Sequence, residues 1–222
     1  MQIKIFLLFL CLAFFTYSQK DNADRATPIL DPSGFSSSQV VLPFPWPGRK
    51  CCNTHNIFAI DNSGSMFGSP WSQANAYVSS VWGTSDYISS FTFNNAVITY
   101  HLHAINPVFS WPGSPSGWTN FNIALNTVSF ILSQNYPDRT CIHFVSDGYF
   151  SISTTAYTAF LNALNSFKKK TQCPVCIKCI ETRWTSHSQT NPTFKKFCDK
   201  IGATFTTTGI IPISYAEQFI KR

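Results

Sequence analysis

Three clusters of small oxygen-bearing residues are the part of this chain best suited to chemistry. They are Asp61-Asn62-Ser63-Gly64-Ser65, Gly117-Trp118-Thr119-Asn120 and Val145-Ser146-Asp147-Gly148. Carboxylate and hydroxyl oxygens, without thiolate or imidazole, suit a hard divalent cation such as Mg²⁺ or Mn²⁺. Gly64 is expected to let the first loop turn so that Ser63 and Ser65 face one point. Met66, Phe67, Trp71, Trp111, Trp118 and Tyr149 lie close by in sequence and are candidate apolar contacts for a partner.

Other chemistries fit the residues less well. Asp61-Asn62-Ser63-Gly64 faintly echoes a serine-hydrolase turn, but Gly-x-Ser-x-Gly would need glycine where Asp61 and Ser65 stand. No Gly-rich phosphate loop is present. His101 and His103 are expected on one face of a strand, as a satisfied pair rather than a chelate. His143, between Ile142 and Phe144, is expected to face a helix layer. Nothing here predicts an enzyme.

The cysteines offer a second possible chemistry. Cys173-Pro174-Val175-Cys176-Ile177-Lys178-Cys179 resembles a zinc or redox run, but a fourth ligand from Cys198 or His187 stands at no recognised spacing. Disulfides are the favoured reading for Cys51, Cys52, Cys141, Cys173, Cys176, Cys179 and Cys198. Seven is odd, so one thiol is left over or bridges two molecules.

The elements that must position these residues alternate. Asn56–Ile60 is an apolar run ending at Asp61, as in a strand buried on both faces. Trp71, Ala74, Tyr77, Val78, Val81 and Trp82 recur at helical spacing behind Pro70. Residues 87–93 and 96–102 read as strands joined at Asn94-Asn95, and 104–118 as a loop. A helix over 121–134, a strand over 140–145 ending before Asp147, and a helix running out in Lys168-Lys169-Lys170 follow. A strand over 176–182, a helix over 192–201, a strand over 203–208 and a short helix over 215–220 complete the order. This pattern predicts an α/β fold, a doubly wound, mostly parallel sheet with one antiparallel strand. Ligands of such sheets bind beyond the carboxyl ends of the strands, where all three oxygen clusters fall.

Residues 1–18 read as a secretory signal: Lys4, an apolar run from Ile5 to Phe15, then small residues, with cleavage expected after Ser18. That run is well short of the roughly 20 residues a spanning helix needs, and no transmembrane segment is expected elsewhere. Residues 19–50 read as an extended Pro/Ser-rich lead-in, and 51–222 as one domain. Of the 222 residues, 44% are hydrophobic and only 12% charged, which excludes a disordered chain. The net charge of +6 divides into +7 for residues 168–222 and −1 for the rest and forms no dense basic stripe, so no nucleic-acid partner is expected.

At Asp61-x-Ser63-x-Ser65, Thr119 and Asp147 the sequence resembles the von Willebrand factor A domain, the fold of integrin inserted domains. All five positions of that family's metal-ion-dependent adhesion site are filled. The resemblance implies that Ser63 and Ser65 ligate the metal directly, that Thr119 joins them in the ligand-ready state, and that Asp61 and Asp147 act mainly through water and hydrogen bonds. Carboxylates held back in this way leave the cation electrophilic. The sequence departs from the family at Trp118, where glycine is common. On this fold, Cys51 or Cys52 is expected to bond to Cys141, Cys173 or Cys176, and Cys179 to Cys198. The implied function is a secreted adhesion module whose Mg²⁺ or Mn²⁺ captures a Glu or Asp side chain of an extracellular protein. The alternative is a metal-independent coat or matrix scaffold assembled through cysteines and aromatics.

Overall fold

The computed structural model describes residues 51–108, 113–184 and 190–208. The expected signal and lead-in (1–50), Trp111, His187 and the helix expected over 215–220 lie outside the described residues.

Among the described residues six strands form one sheet: β1 (Thr54–Asp61), β2 (Tyr87–Phe93), β3 (Val97–Ala104), β4 (Arg139–Ser146), β5 (Val175–Glu181) and β6 (Thr204–Thr207). They lie in the order β3-β2-β1-β4-β5-β6. Every pairing is parallel except β2 with β3. The chain therefore moves outward from β1 in one direction, returns to place β4 beside β1, and moves outward in the other. The crevice of a doubly wound sheet opens at that switch, between β1 and β4.

Four helices cover the sheet: α1 (Ser69–Trp82), α2 (Phe121–Ser133), α3 (Thr154–Thr171) and α4 (Pro192–Lys200). Ala74 and Val78 of α1 pack on Phe58, Ile60, Ile88, Val145 and Ile180. The other face carries Ile57, Ala59, Phe91, Phe93, Ile142 and Phe144, which pack against α2, α3 and α4. Strand β1 is consequently buried along its whole length except Thr54. That explains its unbroken apolar run, since alternation appears only where one face meets water. His143 falls on the α1 face, and its Nδ1 lies 2.7 Å from the Tyr77 hydroxyl.

Helix ends are set by local chemistry. The Ser153 hydroxyl accepts from the Ala156 N–H at 3.1 Å and starts α3. Lys168, Lys169 and Lys170 occupy its last turn, where cations meet the negative end of the helix dipole. The Asn191 side chain accepts from the Thr193 N–H at 3.0 Å ahead of Pro192 and starts α4.

Three disulfides tie the domain together: Cys51–Cys173, Cys141–Cys176 and Cys179–Cys198. The first and third match the expected pairings. Cys141–Cys176 is new and joins β4 to β5, where the two residues are register partners. Cys52 is exposed and takes no part in these three.

One expectation about faces is overturned. His101 and His103 do not share a side of β3, because the β2–β3 register shifts between Ile88 and Ser90 and His103 takes a positive φ of 47°. A bulge of this kind turns the next side chain to the opposite face. His101 Nδ1 lies 2.9 Å from Ser90 Oγ, with its ring edge-on to Trp82. His103 instead stacks on Tyr136.

Candidate functional site

The crevice between β1 and β4 is lined by the ends of those strands. Asp61 closes β1, and Ile60 is paired with Val145, so Asp61 meets Ser146 across the strand gap. Ser146 donates its hydroxyl to Asp61 Oδ2 at 2.7 Å, and the Ser63 N–H donates to Asp61 Oδ1 at 2.9 Å. Both carboxylate oxygens of this fully buried residue are thus engaged by the protein itself. Ser146 also accepts from the Gly148 N–H at 3.0 Å. Within the third oxygen cluster Ser146 is thus the hydrogen-bond partner of Asp61, a role its position directly before Asp147 does not assign by itself.

The loop leading into α2 is docked onto the β1 loop through backbone bonds. Gly64 N–H donates to the Gly117 carbonyl at 3.0 Å, and Ser116 N–H donates to the Asn62 carbonyl at 3.0 Å. Asn94 holds the same loop from β2, donating Nδ2–H to the Ser116 carbonyl at 2.9 Å. Beyond the loop, Phe121 is fully buried among Phe93, Phe150 and Phe197, at 5.6, 4.0 and 5.2 Å between ring centroids. Burying a ring of this size stabilises by roughly 1.5–3 kcal/mol, so Thr119, two residues upstream, is carried on a firm anchor.

These constraints bring three hydroxyls together. Ser63 Oγ lies 3.1 Å from Ser65 Oγ, and Thr119 donates to Ser63 Oγ at 2.7 Å. Adjacent oxygens around an octahedral Mg²⁺ stand about 2.9 Å apart, given metal–oxygen distances of about 2.0–2.1 Å. The two spacings bracket that value. Asp147 Oδ1 accepts from the Tyr149 N–H at 3.3 Å. Its Oδ2 is buried and has no partner among the described residues. A buried carboxylate oxygen left in this state is costly unless a proton or a cation serves it. The donor set therefore fits a hard dication held by Ser63, Ser65 and Thr119, with Asp61 and Asp147 behind.

The electrostatics point the same way. Burial pushes the Asp61 carboxyl up to about 7; hydrogen bonds from Ser146 and Ser63 pull against this, and the charge of Asp147 adds to it. Asp147 is also raised, chiefly by burial. Two carboxylates packed this closely disfavour double ionisation, and a positive charge among them reverses that balance.

The expected role of Gly64 changes. It sits in a single 3₁₀ turn over Gly64–Met66, and a Cβ there would stand 3.4 Å from the Gly117 carbonyl oxygen. A Cβ at that distance makes ordinary contact, so neither space nor backbone angle reserves this position for glycine. The left-handed conformation falls on Gly117 and Gly148.

The aromatic rim is smaller than expected. Met66 is fully buried, with its sulfur 3.3 Å from the Thr182 hydroxyl, so it is not presented to a partner. Trp71 packs on the α1 side of the core. Phe67, Trp118 and Tyr149 remain on the surface at 57%, 86% and 58% exposure, one on each of the three site loops. Beside Asp147 a cleft of about 220 Å³ runs past Tyr149, Glu181, Arg183 and Asn191. Glu181 is buried and paired with Arg183 at 2.6 Å. Trp184 closes the near side, donating Nε1–H to the Ser65 carbonyl at 3.1 Å.

No protein-family model matches the sequence, and no curated protein matches it. Solved structures that resemble it include an aerotolerance-related membrane protein from Bacteroides fragilis carrying multiple mutations to serine. The two share 11% identity, 75% of this chain and 96% of that one are covered, and the TM-score is 0.49. A von Willebrand factor type A structure from Catenulispora acidiphila aligns at 14% identity over 75% of this chain and 41% of that one, with a TM-score of 0.46. The ArnB paralog VWA2 from Sulfolobus acidocaldarius aligns at 19% identity over 72% and 42%, with a TM-score of 0.44. The α/β class of this chain rests on its own strand order and helix layers.

Proposed function

We propose that the β1–β4 edge is a cation-dependent recognition site on a secreted, non-enzymatic protein, and that it takes a Glu or Asp side chain of an extracellular protein partner. Ser63, Ser65 and Thr119 would hold Mg²⁺ or Mn²⁺, which when bound supplies a hard positive centre for a carboxylate. Asp61 fixes the Ser63 backbone, and Asp147 would act from behind the hydroxyls. Phe67, Trp118 and Tyr149 supply an apolar rim of the kind that anchors protein contacts. One observation carries the reading: three hydroxyls in contact beside a buried carboxylate oxygen that has no partner. The secreted location is supported by the leader-like residues 1–18 and by three disulfides, which persist in oxidising compartments. No helix among the described residues is long and apolar enough to cross a membrane.

The test is thermal unfolding of the purified chain with Mg²⁺ or Mn²⁺ and with EDTA. Saturating cation raises Tm, EDTA reverses the rise, and Thr119→Val abolishes it. At a hundredfold excess over Kd the gain is about 2.7 kcal/mol. An unchanged Tm in all three conditions overturns the metal site and leaves the metal-independent scaffold.

A further inference from the structure

We propose that His55, His103 and Asp138 form a second cation site, of zinc type, at the opposite edge of the sheet. His55 begins β1, His103 lies near the end of the antiparallel strand β3, and Asp138 immediately precedes β4. All three thus meet beneath the amino ends of the parallel strands. Six residues of β1 separate His55 from Asp61, about 20 Å at strand rise, so the two sites are independent.

The donors already converge. One ligand atom from each residue lies within 4.8 Å of the other two. His103 Nε2 and Asp138 Oδ2 are in contact at 2.6 Å. Tetrahedral zinc with bonds near 2.0–2.2 Å spaces its ligands about 3.4 Å apart. Seating an ion would open the His103–Asp138 contact by about 0.8 Å and draw His55 in by up to about 1.4 Å. Two imidazoles and one carboxylate are a borderline-soft set, unlike the all-oxygen set at the other edge, and three protein ligands leave a fourth position for water.

The surroundings hold these rings as metal sites hold theirs. Ser89 Oγ lies 2.8 Å from His55 Nε2 and accepts from the His103 N–H at 2.9 Å, so one hydroxyl fixes both histidines. Tyr87 and Tyr136 sandwich the His103 ring at 4.0 and 3.7 Å between centroids, with ring planes nearly parallel. The hydroxyl of Tyr136 is buried without a hydrogen-bond partner among the described residues. The bulge and positive φ at His103 are what bring it to this face, and backbone strain of this kind is typically kept where a site needs it. His55 is buried while the His103 side chain retains 16% exposure, which gives an ion and a water a route in. Asp138 is buried beside them.

The experiment is zinc titration of the EDTA-stripped, dialysed full chain, followed by X-ray absorption of the one-equivalent complex. The unmutated protein retains one zinc in the presence of excess Mg²⁺, with two imidazole nitrogens in its shell. Thr119→Val keeps that zinc, whereas His103→Ala and Asp138→Asn lose it. Ser89→Ala weakens it about 10–100-fold. Absence of retained zinc, a shell of oxygens only, or unchanged binding by folded His103→Ala overturns the proposal and leaves a plain histidine–aspartate hydrogen bond. The absorption measurement needs no variant, so poor folding of the substituted chains does not shelter the idea.

Discussion

Ser146 donates its hydroxyl to Asp61 Oδ2 across 2.7 Å, joining the ends of two neighbouring parallel strands at the point where the sheet changes direction. The bond serves a carboxylate that has no access to water. Ser146→Ala leaves one oxygen of Asp61 unserved, at a cost of about 1–3 kcal/mol. Urea unfolding in EDTA reads that loss directly. On the proposed metal site, the same variant is expected to weaken Mg²⁺ binding about 10–100-fold, because Ser146 orients a carboxylate behind the cation. A variant as stable as the parent would show that Asp61 needs no such partner.

Gly148 tests how the third loop is held. Its φ is +86°, and an added Cβ would stand 2.8 Å from Asn191 Cβ and 2.9 Å from Phe194 Cβ. Left-handed backbone costs a non-glycine residue roughly 1–2 kcal/mol, and overlap with packed atoms adds to it. Gly148→Ala should lose at least about 2 kcal/mol. Gly117→Ala, left-handed but with its nearest atom at 3.4 Å, should lose only the backbone part, and Gly83→Ala, with open space around it, close to nothing. Chemical denaturation of the three ranks them, and any other order refutes the packing account.

The disulfides differ in the length of chain they close. Cys51–Cys173 spans 122 residues and Cys179–Cys198 spans 19. Loop-closure entropy assigns them about 5 and about 3 kcal/mol. Paired replacement by alanine, Cys51→Ala with Cys173→Ala against Cys179→Ala with Cys198→Ala, should show the larger drop for the longer loop. Equal drops would mean that the lost packing of the fully buried Cys179 and Cys198 dominates instead.

What could be read from the residues alone was whatever depends on short-range pattern. The run Asn56–Ile60 ending in Asp61 marked a strand buried on both faces, because such strands lack alternation, and the run Thr140–Val145 marked a second strand ending beside Asp147. Their terminal carboxylates then fell at one edge by topology alone. What escaped depended on register. Cys141 and Cys176 are bonded because they are partners across β4 and β5, and no spacing along the chain encodes that. A bulge opposite Ile88 and Ser90 moved His103 away from His101 and toward His55 and Asp138. Met66 turns away from the expected rim because the 3₁₀ turn after Ser63 points it inward beneath α1.

His143 supplies a pH dependence whose sign follows from burial. Burial first, and the charge of Lys178 second, pull its pKa down to about 3. An unfolded histidine titrates near 6.5, so between these values the unfolded chain binds the extra proton. Stability is then fully present above about pH 6.5 and falls as the pH drops toward 3, by about 1.4 kcal/mol per unit. Asp61 opposes this, since its raised pKa makes the folded chain the better proton binder between about 4 and 7. The histidine contribution is therefore isolated by difference. His143→Gln can still meet Tyr77 but cannot titrate. Subtracting its urea-derived stability in EDTA from that of the parent should leave a slope of about 1.4 kcal/mol per pH unit between pH 4 and 6. A flat difference would mean that His143 keeps its proton in the folded protein, against the 2.7 Å contact of its Nδ1 with the Tyr77 hydroxyl inside a closed core.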